Sequence, residues 1–168
     1  MNASRIVPIL RLATRADAAA IAQLSRDRIE TGLGWSWTPP RVLRSIRDRE
    51  ANVVVATIAA GAAEVGPMLG FGIMKYHDDE AHLLLLAVQP DHARRGIGRA
   101  LVQWLEASAL VAGIPRVGLE ARASNAEARA FYRSLGYRET QSLAGYYSGR
   151  EACVRMTRDL WAERPVAG

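Results

Sequence analysis

Cys153 is the only cysteine in the 168-residue chain, so no internal disulfide can form, and a scaffold held by covalent staples is excluded. A lone thiol suits a reducing compartment, and the expected location is the cytoplasm. Long apolar runs are missing as well. No stretch approaches the roughly 20 residues that a membrane-spanning helix needs. The opening MNASRIVPILRLATR has no apolar core followed by a small-residue cleavage site, so neither a membrane span nor a secretory leader is expected. The three histidines, His77, His82 and His92, are not grouped with cysteine or paired acids, so no metal site is expected. No G-K-[ST] occurs, which removes a Walker loop. Basic runs interleaved with aromatics are also lacking. The net charge of +5 therefore argues for a small anionic ligand, and nucleic acid is disfavoured as the partner.

What remains is an ordinary globular composition, 49% hydrophobic and 23% charged, in a length suited to one domain, 1–168, with its own core. Ile6 to Ala13 reads as a first strand, with Pro8 pointing to an edge or a start. Thr14 and Asp17 form a variant of a capping box, and the helix behind it runs through AAAIAQLSRDRIE. A break rich in Gly, Pro and Trp follows from Thr31 to Pro40. RVLRSIRDRE then reads as a short charged helix with proline at its start. NVVVATIAA and PMLGFGIMKY are strand-like. AHLLLLAV, Ala81 to Val88, is a continuous apolar run, expected to be a central strand covered on both faces. GRALVQWLEASALVAG has helical spacing with Gly113 as its stop, and PRVGLEARA is a strand. SNAEARAFYRSLG is a helix beginning at Ser124 or Asn125 and ending at Gly136. YRETQSLAGYY and EACVRMTRDL close the chain as two strands. The order predicts one mixed α/β domain without repeats or linkers.

Between strand and helix stands VQPDHARRGIGRALVQWLE, Val88 to Glu106. A helix start offers unpaired N–H groups and partial positive charge, and so holds anions. Gly96 and Gly98 allow close approach of the backbone, while Arg94, Arg95 and Arg99 add forked donors. A dinucleotide site is one candidate, because GIGRAL matches the first two glycines of G-x-G-x-x-G and Glu120 follows at about the right distance for a ribose-binding acid. Three features oppose it. Leu101 replaces the third glycine, seven residues separate Val88 from Gly96, and a second mononucleotide half is missing.

The other candidate is the pyrophosphate of an acyl carrier. The stretch from Leu83 to Tyr137 resembles the GNAT superfamily of acetyl-CoA-dependent N-acetyltransferases, whose loop reads [QR]-x-x-G-x-[GA]. Here that loop is A-R-R-G-I-G, Ala93 to Gly98, with Ala93 departing from the pattern. LEARASNAEARAFYRSLGY, Leu119 to Tyr137, resembles in particular the RimI-type protein N-terminal (ribosomal-protein alanine) acetyltransferases. GYYSGREACVRM resembles their last two strands. Together these stretches cover about half of the chain.

The resemblance implies a central, mixed, mostly antiparallel sheet of six to seven strands, splayed between the fourth and fifth and flanked by about four helices. It implies acetyl-CoA as co-substrate, with Arg94, Arg95, Gly96, Ile97, Gly98, Arg99 and Ala100 around the pyrophosphate. The pantetheine arm would lie along Leu86, Ala87 and Val88 like an added strand, with an oxyanion donor among the backbone N–H groups near Val88. Asn125, a helix-capping residue on its own merits, would also touch that arm. Glu120 is implied as the base, acting through water. Tyr132, half of a Phe-Tyr pair, is implied as the acid that protonates the leaving thiolate. Each also has a purely structural reading, as a paired strand glutamate and a packed aromatic. Trp35 and Trp37 alternate along one side of an extended segment and either pack on the core or wall the acceptor site. Tyr146 and Tyr147 pose the same choice, by resemblance to tyrosines that hold a peptide N-terminus. Cys153 reads as a small core residue.

The expected activity is direct acetyl transfer to a primary amine, with a protein or peptide N-terminus as preferred acceptor. A small amine such as an antibiotic, polyamine or amino acid is the enzymatic alternative, and a non-catalytic acetyl-CoA-binding module is the other. A homodimer is compatible with the sequence, which does not decide the oligomeric state.

Overall fold

The computed structural model describes residues 7–59, 65–147 and 151–162. These comprise strands β1 (Ile9–Leu12), β2 (Ala51–Ala59), β3 (Val65–Tyr76), β4 (Ala81–Val88), β5 (Arg116–Arg122), β6 (Arg138–Tyr147) and β7 (Glu151–Asp159), with helices α1 (Ala18–Arg28), α2 (Pro39–Arg47), α3 (Ile97–Val111) and α4 (Ala126–Ser134). The seven strands form one sheet in the order β1-β2-β3-β4-β5-β7-β6. β1–β2, β2–β3, β5–β7 and β6–β7 pair antiparallel, and β4–β5 is parallel. The parallel register consists of Ala81↔Val117 and His82↔Gly118, at the beginning of two strands that run on to Val88 and Arg122. The mixed, mostly antiparallel sheet with four helices matches the expectation. Among the described residues no helix is long and apolar enough to cross a membrane.

The chain divides into two compact units, Met1–Lys75 with Leu85–Leu105, and Tyr76–Leu84 with Glu106–Gly168. In the first, Ile21, Ala22 and Leu24 of α1 and Val42 of α2 join Trp37 in one core. Val53 and Val55 of β2, Phe71 and Ile73 of β3, and Leu85 and Ala87 of β4 complete it. Burial of side chains of this size contributes about 1.5–3 kcal/mol each. Helix α2 starts two residues before the charged segment expected and stops three before its end. Pro39 and Pro40 occupy its first turn, where a fixed φ and a missing N–H cost nothing. Asp48 then turns extended (ψ 122°), accepts the Glu50 N–H at 2.9 Å and pairs with Lys75. Such local bonding by a carboxylate competes with continued helix.

Strand β4 corrects one expectation. Ala81, Leu83, Leu85 and Ala87 are buried, but Leu84 is 38% exposed, and His82, Leu86 and Val88 are half-buried. Successive side chains of a strand point to opposite faces, and only one face of this apolar run belongs to the core.

In the second unit Val117, Leu119 and Ala121 of β5 and Val154 and Met156 of β7 are buried. Glu120 and Arg122 alternate with the β5 set and are half-buried. Glu106, 4% exposed, accepts from Arg158 Nη1 at 2.6 Å. Both helix stops read from glycine hold. Gly136 (φ 97°) carries bonds from its own N–H to Arg133 O and from the Tyr137 N–H to Tyr132 O, each 3.0 Å. Gly113 (φ 78°) does the same with Leu110 O and, through the Ile114 N–H, Ala109 O. A side chain with a Cβ is strained at such φ values, so glycine ends both helices.

Candidate active site

The loop before α3 lies in the first unit. A turn of 3-10 helix, Pro90–His92, leads into it, and the chain then takes two left-handed residues, Arg94 (φ 61°) and Gly96 (φ 83°). Left-handed backbone is uncommon for arginine and persists where surrounding structure imposes it, often at ligand sites. A Cβ built on Gly96 would meet no atom within 4 Å, so this glycine answers a conformational demand and leaves open space beside the backbone. Ala100 donates to Gly96 O at 3.1 Å. The N–H groups of Ile97, Gly98 and Arg99 precede that bond in the first turn, where a helix supplies no acceptor of its own. Ile97, 1% exposed, anchors this turn in the core, while Arg94 and Arg99 are exposed and Arg95 is half-buried. The arrangement is a short cradle of N–H donors edged by guanidinium groups, suited to a phosphate.

Also in the first unit, the Trp35 and Trp37 segment departs from the simple alternation expected. Trp37 is buried in the core, with the Arg41 guanidinium 4.0 Å from its ring centroid. Trp35 is 39% exposed, with Arg26 5.1 Å from its ring. The cause is Glu30, expected from the sequence to be the last residue of a helix. Its Oε1 accepts the Ser36 N–H and hydroxyl, both at 2.7 Å, and the Trp37 N–H at 3.1 Å, while Oε2 accepts from the Ser25 hydroxyl at 3.2 Å. Burial by itself would raise this carboxyl. The donated bonds from Ser36, Trp37 and Ser25 outweigh it and hold the group below the ordinary glutamate value. No local motif announces a carboxylate that binds a segment six and seven residues ahead.

Glu120 and Tyr132 lie in the second unit. Glu120 is hydrogen-bonded through Oε2 to His82 Nε2 on the neighbouring strand. His82 is the register partner of Gly118, and Glu120 comes two residues later on the same face. A Cβ on Gly118 would fall 1.9 Å from Glu80 Oε1, so the Glu80 carboxylate occupies the place that a side chain would take there. That carboxylate accepts from Arg155 at 2.7 Å, and Arg155 is the register partner of Glu120 on β7. Cys153 is fully buried, and its thiol is pushed up by burial and then by the charge of Glu120. It is thus a core residue, not a nucleophile.

Tyr132 stands near the end of α4, its ring edge-on to Phe131 (centroids 5.1 Å apart) and to Tyr137 (5.7 Å). The helix stop at Gly136 makes the second contact, because its bonding pattern brings the residue after the glycine back over the last turn. Tyr137 is 2% exposed, and among the described residues its hydroxyl has no hydrogen-bond partner. Burial, then the charge of Glu106, keeps it protonated well above the usual tyrosine range. At the other end of α4, Asn125 Oδ1 accepts the Ala128 N–H at 3.0 Å, the capping role read from sequence. Tyr146 and Tyr147 end β6, and their side chains lie outside the described ones. Among the described residues no group of three His, Cys, Asp or Glu could hold a metal ion.

The first unit thus offers a helix start bearing glycine and arginine, and the second a strand carboxylate and a tyrosine on the helix after it. The profile of the acetyltransferase (GNAT) family matches residues 20–137, and the chain belongs to that family. It is 43% identical over 94 residues to the [ribosomal protein bS18]-alanine N-acetyltransferase of Escherichia coli (strain K12), a match spanning 54% of this chain and 64% of that protein, slightly under two thirds of its length. It is 30% identical over 145 residues to the aminoglycoside N(6')-acetyltransferase type 1 of Stenotrophomonas maltophilia, covering 80% of this chain and 88% of that one. The crystal structure of the ribosomal-protein-S18-alanine N-acetyltransferase from Escherichia coli superposes with a TM-score of 0.76 at 27% identity, over 96% of this chain and 97% of that one.

Proposed function

We propose that this chain acts as one domain and is an acetyl-CoA-dependent N-acetyltransferase, whose preferred acceptor is a protein or peptide N-terminus. The observation that carries the activity is the start of α3, where left-handed Arg94 and Gly96 present the N–H groups of Ile97, Gly98 and Arg99 beside arginines. In this reading Arg94 to Ala100 bind the pyrophosphate, and Leu86 to Val88 offer backbone groups to the pantetheine arm, with Asn125 contributing from its cap. Glu120 takes the proton of the acceptor ammonium through water. The amine nitrogen bonds to the thioester carbon, the carbon–sulfur bond breaks, and Tyr132 gives its proton to the thiolate. Because an α-amine has a pKa near 8 and a lysine near 10.4, a base is needed at neutral pH, more so for lysine. The buried, raised Cys153 thiol supports direct transfer without a covalent enzyme intermediate. A lone buried cysteine is also in keeping with a cytoplasmic location.

The 43% identity with a ribosomal-protein alanine acetyltransferase favours the N-terminal acceptor. A second reading, acetylation of a small amine, is favoured by the longer match to an aminoglycoside acetyltransferase. Trp35, with its partly exposed ring, and Tyr146 and Tyr147 are the proposed acceptor-side residues. Trp37 contributes from the core.

Free-thiol release, measured with acetyl-CoA and a panel of peptides beginning with Ala or Ser, aminoglycosides and polyamines, tests both readings. Glu120→Gln adds the base. With an α-amine acceptor its defect should be largest at low pH and recover by about pH 9, whereas with a lysine acceptor it should persist. No thiol release with any acceptor would leave a binding module. A mutant profile within about twofold of the parent at every pH, far below the 10²–10⁴ expected of a positioned base, would remove Glu120 from the chemistry.

A further inference from the structure

We infer that His82 is a positioning residue, holding the Glu120 carboxylate by one oxygen so that the other stays available to the water that relays the proton of the acceptor amine. The inference rests on the proposed role of Glu120 as base and deepens it. Three features of the second unit carry it. The parallel β4–β5 register sets His82 beside Gly118, two residues before Glu120, so both side chains rise from one face of adjacent strands. His82 Nε2 is hydrogen-bonded to Glu120 Oε2, and where the carboxylate is ionised the imidazole nitrogen must be the donor. Both groups are largely shielded, at 28% and 13% side-chain exposure.

Two arginines of the second unit lie against Glu80. Arg155, across from Glu120 on β7, donates to Glu80, whose carboxylate fills the space above Gly118. Arg116 lies 3.9 Å from the same Glu80. A glutamate side chain has three rotatable bonds, and an unheld carboxylate spends most of its time outside one reactive geometry. A donor on Oε2 removes that freedom and leaves the lone pairs of Oε1 for the proton. The imidazole itself touches neither amine nor thioester in this role. It acts through Glu120.

The expected result is that His82→Leu lowers kcat by about 10- to 100-fold, the scale of a misplaced catalytic group, while the KM for acetyl-CoA stays at the parental value. His82→Gln, whose amide N–H extends about as far as Nε2, should recover most of the rate. The decisive comparison is His82→Leu in the Glu120→Gln background. A residue that acts only through the Glu120 carboxylate has nothing left to orient there, so the double variant should be no slower than Glu120→Gln alone. The same fold-loss from His82→Leu in both backgrounds would overturn the positioning role and leave Glu120 as base. Parental rates for Glu120→Gln would overturn the base and the positioning role together. If His82→Leu does not fold, the same cycle is run with His82→Asn, whose shorter side chain cannot reach Oε2. Independence from Glu120 in that cycle would be equally fatal.

Discussion

Replacing Glu30 by alanine removes the acceptor that shapes the segment carrying both tryptophans. Of its four bonds, those to Ser36 lie near solvent, where water can substitute. Those to the Trp37 N–H and the Ser25 hydroxyl are buried. A hydrogen bond to a charged group contributes about 1.5–3 kcal/mol. Loss of the two buried ones therefore predicts destabilisation of about 3–6 kcal/mol by Glu30→Ala. Glu30→Gln keeps an acceptor oxygen but loses the charge that roughly doubles such bonds, and predicts about 1.5–3 kcal/mol. At roughly 2–4 °C per kcal/mol for a chain of this length, the alanine variant should melt about 6–24 °C lower at pH 7. The pH dependence has a definite sign. Glu30 lies below the ordinary glutamate value in the fold, so its contribution is full above the unfolded value of about 4.3 and is lost as pH falls through the folded one. Thermal melts of parent and Glu30→Gln should accordingly differ at pH 7 and converge as the pH is taken below about 4. Equal melting of Glu30→Ala and parent at pH 7, or a gap that widens on acidification, would refute the reasoning.

The double variant Arg94→Glu, Arg95→Glu should weaken coenzyme A binding by an order of magnitude or more, from lost charge-assisted bonds; unchanged affinity by calorimetry would take the loop out of the site. Tyr132→Phe keeps the ring contacts with Phe131 and Tyr137 and should slow turnover about 10²- to 10⁴-fold, whereas a parental kcat at saturation would leave that tyrosine a packing role. Tyr137→Phe deletes a buried hydroxyl with no hydrogen-bond partner among the described residues and should leave stability unchanged or raise it by up to about 1 kcal/mol. A urea midpoint shifted down by more than that amount would show that the hydroxyl is held.

Local signals in the sequence determined the elements and the cradle. Gly113 and Gly136 stop helices because only glycine takes left-handed backbone without strain. Asn125 caps α4 because its oxygen can reach an N–H three residues on. The glycines and arginines of Ala93 to Gly98 mark a helix start whose N–H groups suit an anion. All of these act within a few residues along the chain. The tertiary structure decided what depends on distant partners. The AHLLLLAV run is apolar throughout, yet only alternate side chains are buried, since burial follows from what covers a strand and not from its own composition. Trp35 and Trp37 look equivalent by spacing and part company because Glu30 draws in the backbone of Ser36 and Trp37. Gly118 has no local explanation until Glu80 fills the place of its side chain. His82 and Glu120 are 38 residues apart, and only a parallel register between β4 and β5, which no local pattern encodes, brings an imidazole onto the carboxylate.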